Sequence, residues 1–191
     1  MEIYSKAKMF NKKAARKRSK ADKILKILNI QPGQTIADIG SGGGFFTFLF
    51  SHLVGDKGTV IAIDINEKFL EYIESQAAEN SLTNIKTVLA TEESIPIKHN
   101  SVDLVFVRNV YHHLQNRIRY FVEAKQLLSP SGRVSIIEHS NRGSIFSFHR
   151  RCSHNVPQEI IIQEMNKAGY IISASFDFLP VQSFTIFKPI S

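Results

Sequence analysis

Apolar positions follow two rhythms along this chain. Short, nearly continuous apolar runs recur at Thr35–Ile39, Thr59–Ile63, Ile85–Leu89, Val102–Val107 and Val134–Glu138. Strands buried on both faces read this way. Between them lie segments with helical character, Phe46–Val54, Glu67–Glu79 and Asn116 to Leu128. Gly55-Asp56-Lys57-Gly58 closes the first, and Ser129-Pro130-Ser131-Gly132 the last. The alternation predicts an α/β fold, a three-layer α/β/α sandwich around a mostly parallel sheet.

After Ser140 the rhythm changes. Asn141–Ser153 is polar and irregular, and Pro157–Ala168 reads as a helix with Pro near its first turn. Tyr170–Phe178 and Phe184–Phe187 follow with a short link between them. Two strands so close in sequence form a hairpin, giving a seven-stranded sheet with an antiparallel last strand. At the other end, Ser19-Lys20-Ala21-Asp22 reads as a capping box opening a helix with Ile24, Leu25 and Leu28 on one face. Pro32-Gly33 stops that helix ahead of the first sheet strand.

Length and composition narrow the class. A chain of 191 residues is expected to form one domain with a sizeable core. Its one cysteine, Cys152, rules out an internal disulfide and a cysteine-based metal cluster, and points to a reducing cytoplasm. No apolar run reaches the ~18 residues of a membrane span, and no signal peptide is recognisable. The net charge of +7 is concentrated at one end. Residues 1–26 carry ten Lys/Arg and two acids, Glu2 and Asp22, while the rest is nearly balanced at −1. Residues 1–29 thus read as a basic helical arm, and 30–191 as the domain proper.

The candidate chemistry starts where the first strand ends, at Asp38-Ile39-Gly40-Ser41-Gly42-Gly43-Gly44. A strand leading through a glycine loop into a helix offers main-chain groups to a nucleotide-like ligand. Asp64, at the end of the second strand, is placed to accept both hydroxyls of a ribose; otherwise it is a helix cap. A dinucleotide fingerprint needs a small third residue for close helix–strand packing, and Phe45 stands there instead. Nor does a Lys-Ser/Thr pair follow, which disfavours a nucleoside triphosphate.

With these residues the chain resembles the class I methyltransferases that use S-adenosylmethionine, in their small-molecule and quinone-biosynthesis branch. The glycine loop resembles their first motif. Ser94-Ile95-Pro96-Ile97 with Ser101-Val102-Asp103-Leu104-Val105, Val110-Tyr111-His112-His113-Leu114 and Leu127-Leu128-Ser129-Pro130-Ser131-Gly132-Arg133 resemble later segments of that branch. The likeness implies a Rossmann-like fold, S-adenosylmethionine as cofactor and S-adenosylhomocysteine as product. It implies cofactor contacts from Asp38, Gly40, Ser41, Gly42, Gly44, Asp64, Ile65, Thr91, Glu92, Arg108 and Asn109. In one place the chain departs from the family. Thr91 stands where an acid often binds the adenine amino group, leaving Glu92 or the main chain to serve.

An activated sulfonium methyl needs alignment more than a catalytic group, so no catalytic residue is assigned. His112 and His113 are candidates for proton transfer, or else a helix cap and loop packing. Glu138, His139 and Ser140 end the fifth strand, where Glu138 would touch substrate or pair with Arg142 on a solvated rim. His149, Arg150, Arg151 and His154 form a basic cluster that would favour an anionic acceptor if it walls the site. No metal site is expected, because no histidine pair has ligand spacing with a carboxylate, and a lone cysteine argues against arsenite as acceptor. The basic arm is either a helix folding over the cofactor, with Tyr4, Met9 and Phe10 on its apolar side, or a phosphate-binding element. The second reading would suit RNA or a protein as substrate, or an anionic membrane surface beside a lipid-soluble acceptor. Besides a small-molecule enzyme, an RNA or protein methyltransferase and a non-catalytic cofactor-binding module remain open.

Overall fold

The structure, a computed structural model, describes residues 2–91, 97, 100–140 and 155–190, with side chains from Tyr4 onward. The helices are α1 (Glu2–Ala14), α2 (Ala21–Leu28), α3 (Phe45–Val54), α4 (Glu67–Glu79), α5 (Arg117–Leu127) and α6 (Gln158–Lys167). The strands are β1 (Thr35–Ile39), β2 (Thr59–Asp64), β3 (Ile85–Leu89), β4 (Val102–Arg108), β5 (Leu128–His139), β6 (Tyr170–Phe176) and β7 (Gln182–Pro189). They form one seven-stranded sheet in the order β3-β2-β1-β4-β5-β7-β6. β7 runs antiparallel to both neighbours, and the other pairings are parallel, as the hairpin pattern predicts.

Alternate strand residues feed two cores, the expected result when both sheet faces are covered. Ile36, Val60, Leu104 and Phe106 join Ile24 and Leu28 of α2 and Phe46, Phe50 and Val54 of α3. Phe50 and Phe106 meet edge to face at 5.0 Å. On the opposite face Ala37, Ile39, Val105 and Val107 pack with Phe121, Ala124 and Leu127 of α5 and with Ile161 and Met165 of α6. Glu164 ties the two helices of that layer together. It accepts from Arg117 Nε and Nη2 at 2.7 and 2.8 Å and from the Tyr111 hydroxyl at 2.7 Å. Bonding to Arg117 holds the Glu164 carboxyl below its ordinary range.

Three sequence expectations need correction. The capping box does not form. Lys20 occupies the cap in a left-handed conformation (φ 52°), and the Ser19 hydroxyl turns back to the carbonyls of Ala14 and Arg16. A 3₁₀ turn over Lys17–Ser19 makes that reversal. The Ser129–Gly132 turn is absorbed into β5, whose pairing with β4 shifts register between Val102 and Leu104. Met9 is not on the packing side of α1; Ala7, Phe10 and Asn11 are. Ala7 is fully buried, Phe10 meets Phe69 at 5.7 Å, and Tyr4 meets Tyr72 of α4 edge to face at 5.3 Å.

Candidate functional site

Parallel strands β1, β2 and β4 all end on one edge of the sheet, and the glycine loop lies across it. The Gly40 and Ser41 amides donate to the Ile63 carbonyl at 2.8 and 3.0 Å, drawing the loop over the end of β2. Gly40, Gly42 and Gly44 all adopt positive φ, at 69°, 54° and 79°. Their surroundings differ. A Cβ at Gly40 would lie 2.2 Å from Val110 Cγ2, and one at Gly44 2.8 Å from Ile73 Cγ1. At Gly43 it would meet the Ala7 carbonyl oxygen of α1 at 2.3 Å. At Gly42 the nearest atom is 3.5 Å away, on the Phe10 ring. A Cβ would collide with the chain at three of these glycines, while at Gly42 there is space for one against the Phe10 ring.

Asp64 stands beside that space. Its Oδ2 accepts from the Gly42 amide at 2.9 Å, and its Oδ1 from the Asn66 amide at 3.0 Å. A carboxylate has about four lone-pair sites, so the main-chain amides around Asp64 leave capacity for a further hydroxyl. Burial pushes the Asp64 carboxyl above its ordinary value, while the amides of Gly42 and Asn66 pull the other way. Asn66 in turn caps α4 by accepting from the Lys68 amide at 3.1 Å. Next to Asp64 the apolar side chain of Ile65 is 62% exposed, an uncovered platform. Thr91 is exposed just past β3, and Glu92 lies outside the described residues.

Asp38 is buried beneath the loop, and its Oδ2 accepts from the Thr47 hydroxyl at 2.6 Å. Burial raises its carboxyl to about 7 against the lowering effect of that bond. Arg108 at the end of β4 sits with its guanidinium 4.9 Å from the Phe46 ring. Burial draws it down to about 10, while the neighbouring Asp38 charge acts in the opposite sense. Arg108 Nε and Nη1, Ser41 Oγ and Ser140 Oγ are buried without hydrogen-bond partners among the described residues. These follow or end β1, β4 and β5, so the strand ends hold donors that a polar ligand would satisfy. The residues present therefore fit a ligand with both a ribose and a zwitterionic tail.

The β4–β5–β7 side was less legible. Glu138 is fully buried rather than on a solvated rim, and Arg142 lies outside the described residues. The Glu138 carboxylate lies 3.0 Å from His112 Nδ1 and accepts from the amides of His112 (3.3 Å) and His139 (2.8 Å). His113 is exposed, with its ring 4.0 Å from that of His112. Asn109, at φ 56°, accepts from Gln182 Nε2 at 2.6 Å. Nothing in the sequence marks Gln182 as a partner. Also unanticipated is Asn11, whose Nδ2 donates to the Gly43 carbonyl at 2.6 Å. Cys152 and the basic cluster His149, Arg150, Arg151 and His154 lie outside the described residues, and no metal-binding group occurs among those described.

Comparison with known proteins decides the family. The methyltransferase domain family matches residues 30–178. The chain belongs to it. It is a class I methyltransferase domain with the Rossmann-like fold, in the branch sometimes termed type 11, and the family's cofactor is S-adenosylmethionine. The chain is 27% identical over 117 residues to the ubiquinone/menaquinone biosynthesis C-methyltransferase UbiE of Shewanella oneidensis, covering 61% of this chain and 47% of that protein. It is 32% identical over 105 residues to the arsenite methyltransferase of Halobacterium salinarum, covering 55% of this chain and 27% of that protein. The chain thus spans half or less of the length of these curated relatives. A crystal structure of a methyltransferase from Aquifex aeolicus superposes with a TM-score of 0.78 at 23% identity, covering 87% of each chain. At that identity the likeness speaks to fold.

Proposed function

We propose that this chain transfers a methyl group from S-adenosylmethionine to a small-molecule acceptor in a cytoplasmic setting, releasing S-adenosylhomocysteine. The observation that carries the reading is the pairing of Gly42 and Asp64. One loop glycine has room for a Cβ against the Phe10 ring of α1, and the carboxylate beside it has hydroxyl-accepting capacity left. Asp64 would hold the ribose, Ile65 one face of the adenine, and Thr91 with Glu92 its edge. Gly40, Ser41, Gly42 and Gly44 would carry the methionine portion, with Arg108 and Asn109 on its far side and Asp38 supporting the loop from below.

When bound, the cofactor supplies an electrophilic methyl group, so in-line displacement asks the protein mainly for alignment. Alignment of this kind accounts for about 7–11 kcal/mol of barrier in well-oriented reactions. The chain's contribution is then to fix the loop through the Ile63 carbonyl and the Gly42–Asp64 bond. Residues 1–29 would act as a lid over the domain of residues 30–191, since Asn11 and Ala7 already contact Gly43. A small-molecule acceptor is supported by the names of the two relatives. A lone cysteine still argues against arsenite.

Calorimetry tests the cofactor assignment. S-adenosylhomocysteine is expected to bind, and tighter binding of NAD would overturn it. Transfer of labelled methyl to a small molecule in a cell extract tests the activity. Label appearing in RNA or protein instead would favour the competing acceptors, and none at all a non-catalytic module.

A further inference from the structure

Helix α1 has two faces with different work. Ala7, Phe10 and Asn11 point inward onto α4 and the glycine loop. At 100° per residue the opposite face carries Lys8, Met9, Lys12 and Lys13, all exposed, and Arg16 follows in the next turn. Lys17, Arg18, Lys20, Lys23 and Lys26 extend the same charge through the turn and α2, and with Lys6 all ten cations are exposed. Lys6 and Lys23 lie over the Phe10 and Phe178 rings at 5.9 and 4.2 Å. Among the described residues none of the ten joins an ion pair with an acid. So dense a cationic face on an otherwise nearly neutral protein calls for an anionic partner.

We propose that the outer face of α1, continued by the cations of residues 16–26, docks this protein on an anionic lipid surface. The composition of the face favours lipid over nucleic acid. Eight of the ten cations are Lys, a point charge on a flexible stem, and two are the Arg preferred for planar, bidentate phosphate recognition. Met9, 43% exposed, stands among Lys8, Lys12 and Lys13, and Tyr4, 40% exposed, at the edge of the same helix. With the apolar face of α1 packed on the protein, docking through this outer face would be mainly electrostatic, with Met9 adding a small apolar contact. Because the inner face of α1 rests on the glycine loop, docking would turn the ligand edge of the sheet toward the bilayer. That orientation suits a lipid-soluble methyl acceptor; this last point rests on the proposed function, while docking itself does not.

Vesicle flotation of the intact chain at about 0.15 M salt tests the proposal, where exposed charges are screened beyond ~8 Å. Binding is expected to phosphatidylcholine vesicles containing one-third phosphatidylglycerol, and not to phosphatidylcholine alone. Replacing Lys8, Lys12, Lys13 and Arg16 by Gln together should lower partitioning by about 100-fold or more, since each cation near the surface contributes separately. All four side chains are exposed, so the variant should keep its fold, checked by an unchanged melting temperature. Met9→Ser should weaken vesicle binding severalfold at unchanged charge. Equal binding to both vesicle types overturns the proposal. So does salt-sensitive binding to single-stranded RNA without vesicle binding, or indifference to the fourfold variant. Asp64→Ala should float like the unaltered chain, so loss of cofactor binding and loss of docking are separately visible.

Discussion

At the ends of β1 and β2 Asp64 bonds main-chain amides, and Asp38 bonds the helix that follows the glycine loop. Asp64 reaches the amides of Asn66 two residues on and Gly42 twenty-two residues back, and Asp38 reaches Thr47 nine residues on. At the ends of β4, β5 and β7 the polar contacts join distant side chains. His112 meets Glu138 across 26 residues, and Asn109 meets Gln182 across 73. On the proposed reading, the first side would present main chain and one carboxylate to a cofactor of fixed shape. The second is built of side chains, some bonded to one another while Arg108 and Ser140 keep buried polar atoms without partners among the described residues, and its surface changes with any one of them. A family that keeps one cofactor and varies its acceptor would be expected to divide the labour this way.

Gly42→Val is the harshest test of the β1–β2 side. Its Cβ would meet no atom closer than 3.5 Å, so the loop can keep its place while the branched side chain crowds the space proposed for the ligand. S-adenosylhomocysteine affinity should fall by about 1,000-fold or more. The left-handed backbone would add about 1–2 kcal/mol of strain. Gly40→Ala supplies the contrast, because its Cβ would collide with Val110 at 2.2 Å. It should lower the melting temperature first and affinity only as a consequence. If both variants fold normally and bind normally, the loop has been assigned to the wrong task.

Asp38 belongs to the same side but acts through protons. Burial pushes its carboxyl up to about 7, well above its ordinary value of 3.8. A carboxyl raised in the folded state contributes stability that is fully present below its unfolded pKa. That contribution is lost as pH rises through about 7, and at 1.36 kcal/mol per unit amounts to about 4 kcal/mol as an upper figure. Urea midpoints of the ligand-free chain should therefore fall between pH 5 and pH 8 on account of Asp38. Asp38→Asn keeps an acceptor for Thr47 and should flatten that slope. A slope unchanged in the variant would assign it to other groups.

Glu138→Ala probes the other side. It leaves the amides of His112 and His139 without their acceptor and removes the partner of His112 Nδ1 in a fully buried site. Leaving buried polar groups without their acceptor costs about 1–3 kcal/mol each, visible as a lower urea midpoint. Affinity for S-adenosylhomocysteine should stay within a few-fold. A large loss of affinity at unchanged stability would join the two sides into one site and end the comparison.

The same contrast explains what the sequence made legible. Strand β1, the glycine loop and Asp64 follow from local patterns: an apolar run, positive-φ positions that call for glycine, and a carboxylate at a strand end. The seven strands and the hairpin follow from periodicity. Glu138 was misplaced because its burial depends on a histidine in another segment, and no local pattern encodes that. The capping box failed for a related reason, since Ser19 had closer carbonyls to bond behind it. The inward face of α1 was partly legible. Ala7, Phe10 and Asn11 are spaced at i, i+3 and i+4, and counting that stripe would have placed Met9 outside.

Asp64→Ala carries the smallest of these effects and the sharpest reading. The ribose hydroxyls would lose a charged acceptor, and hydrogen bonds to charged groups contribute about 1.5–3 kcal/mol. The loss should therefore be between about tenfold and somewhat over a hundredfold in S-adenosylhomocysteine affinity by calorimetry. Stability should change little, because burial already disfavours the Asp64 charge and thereby offsets the bonds from Gly42 and Asn66. The pH dependence adds a second check. The ionised carboxylate is the form that accepts two hydroxyls, so acidification through its raised pKa should weaken binding in the unaltered chain. Asp64→Asn should bind weakly and without that dependence. Unchanged affinity in either variant would remove Asp64 from the ribose site. The Gly42–Asp64 bond would then be a device for holding the loop.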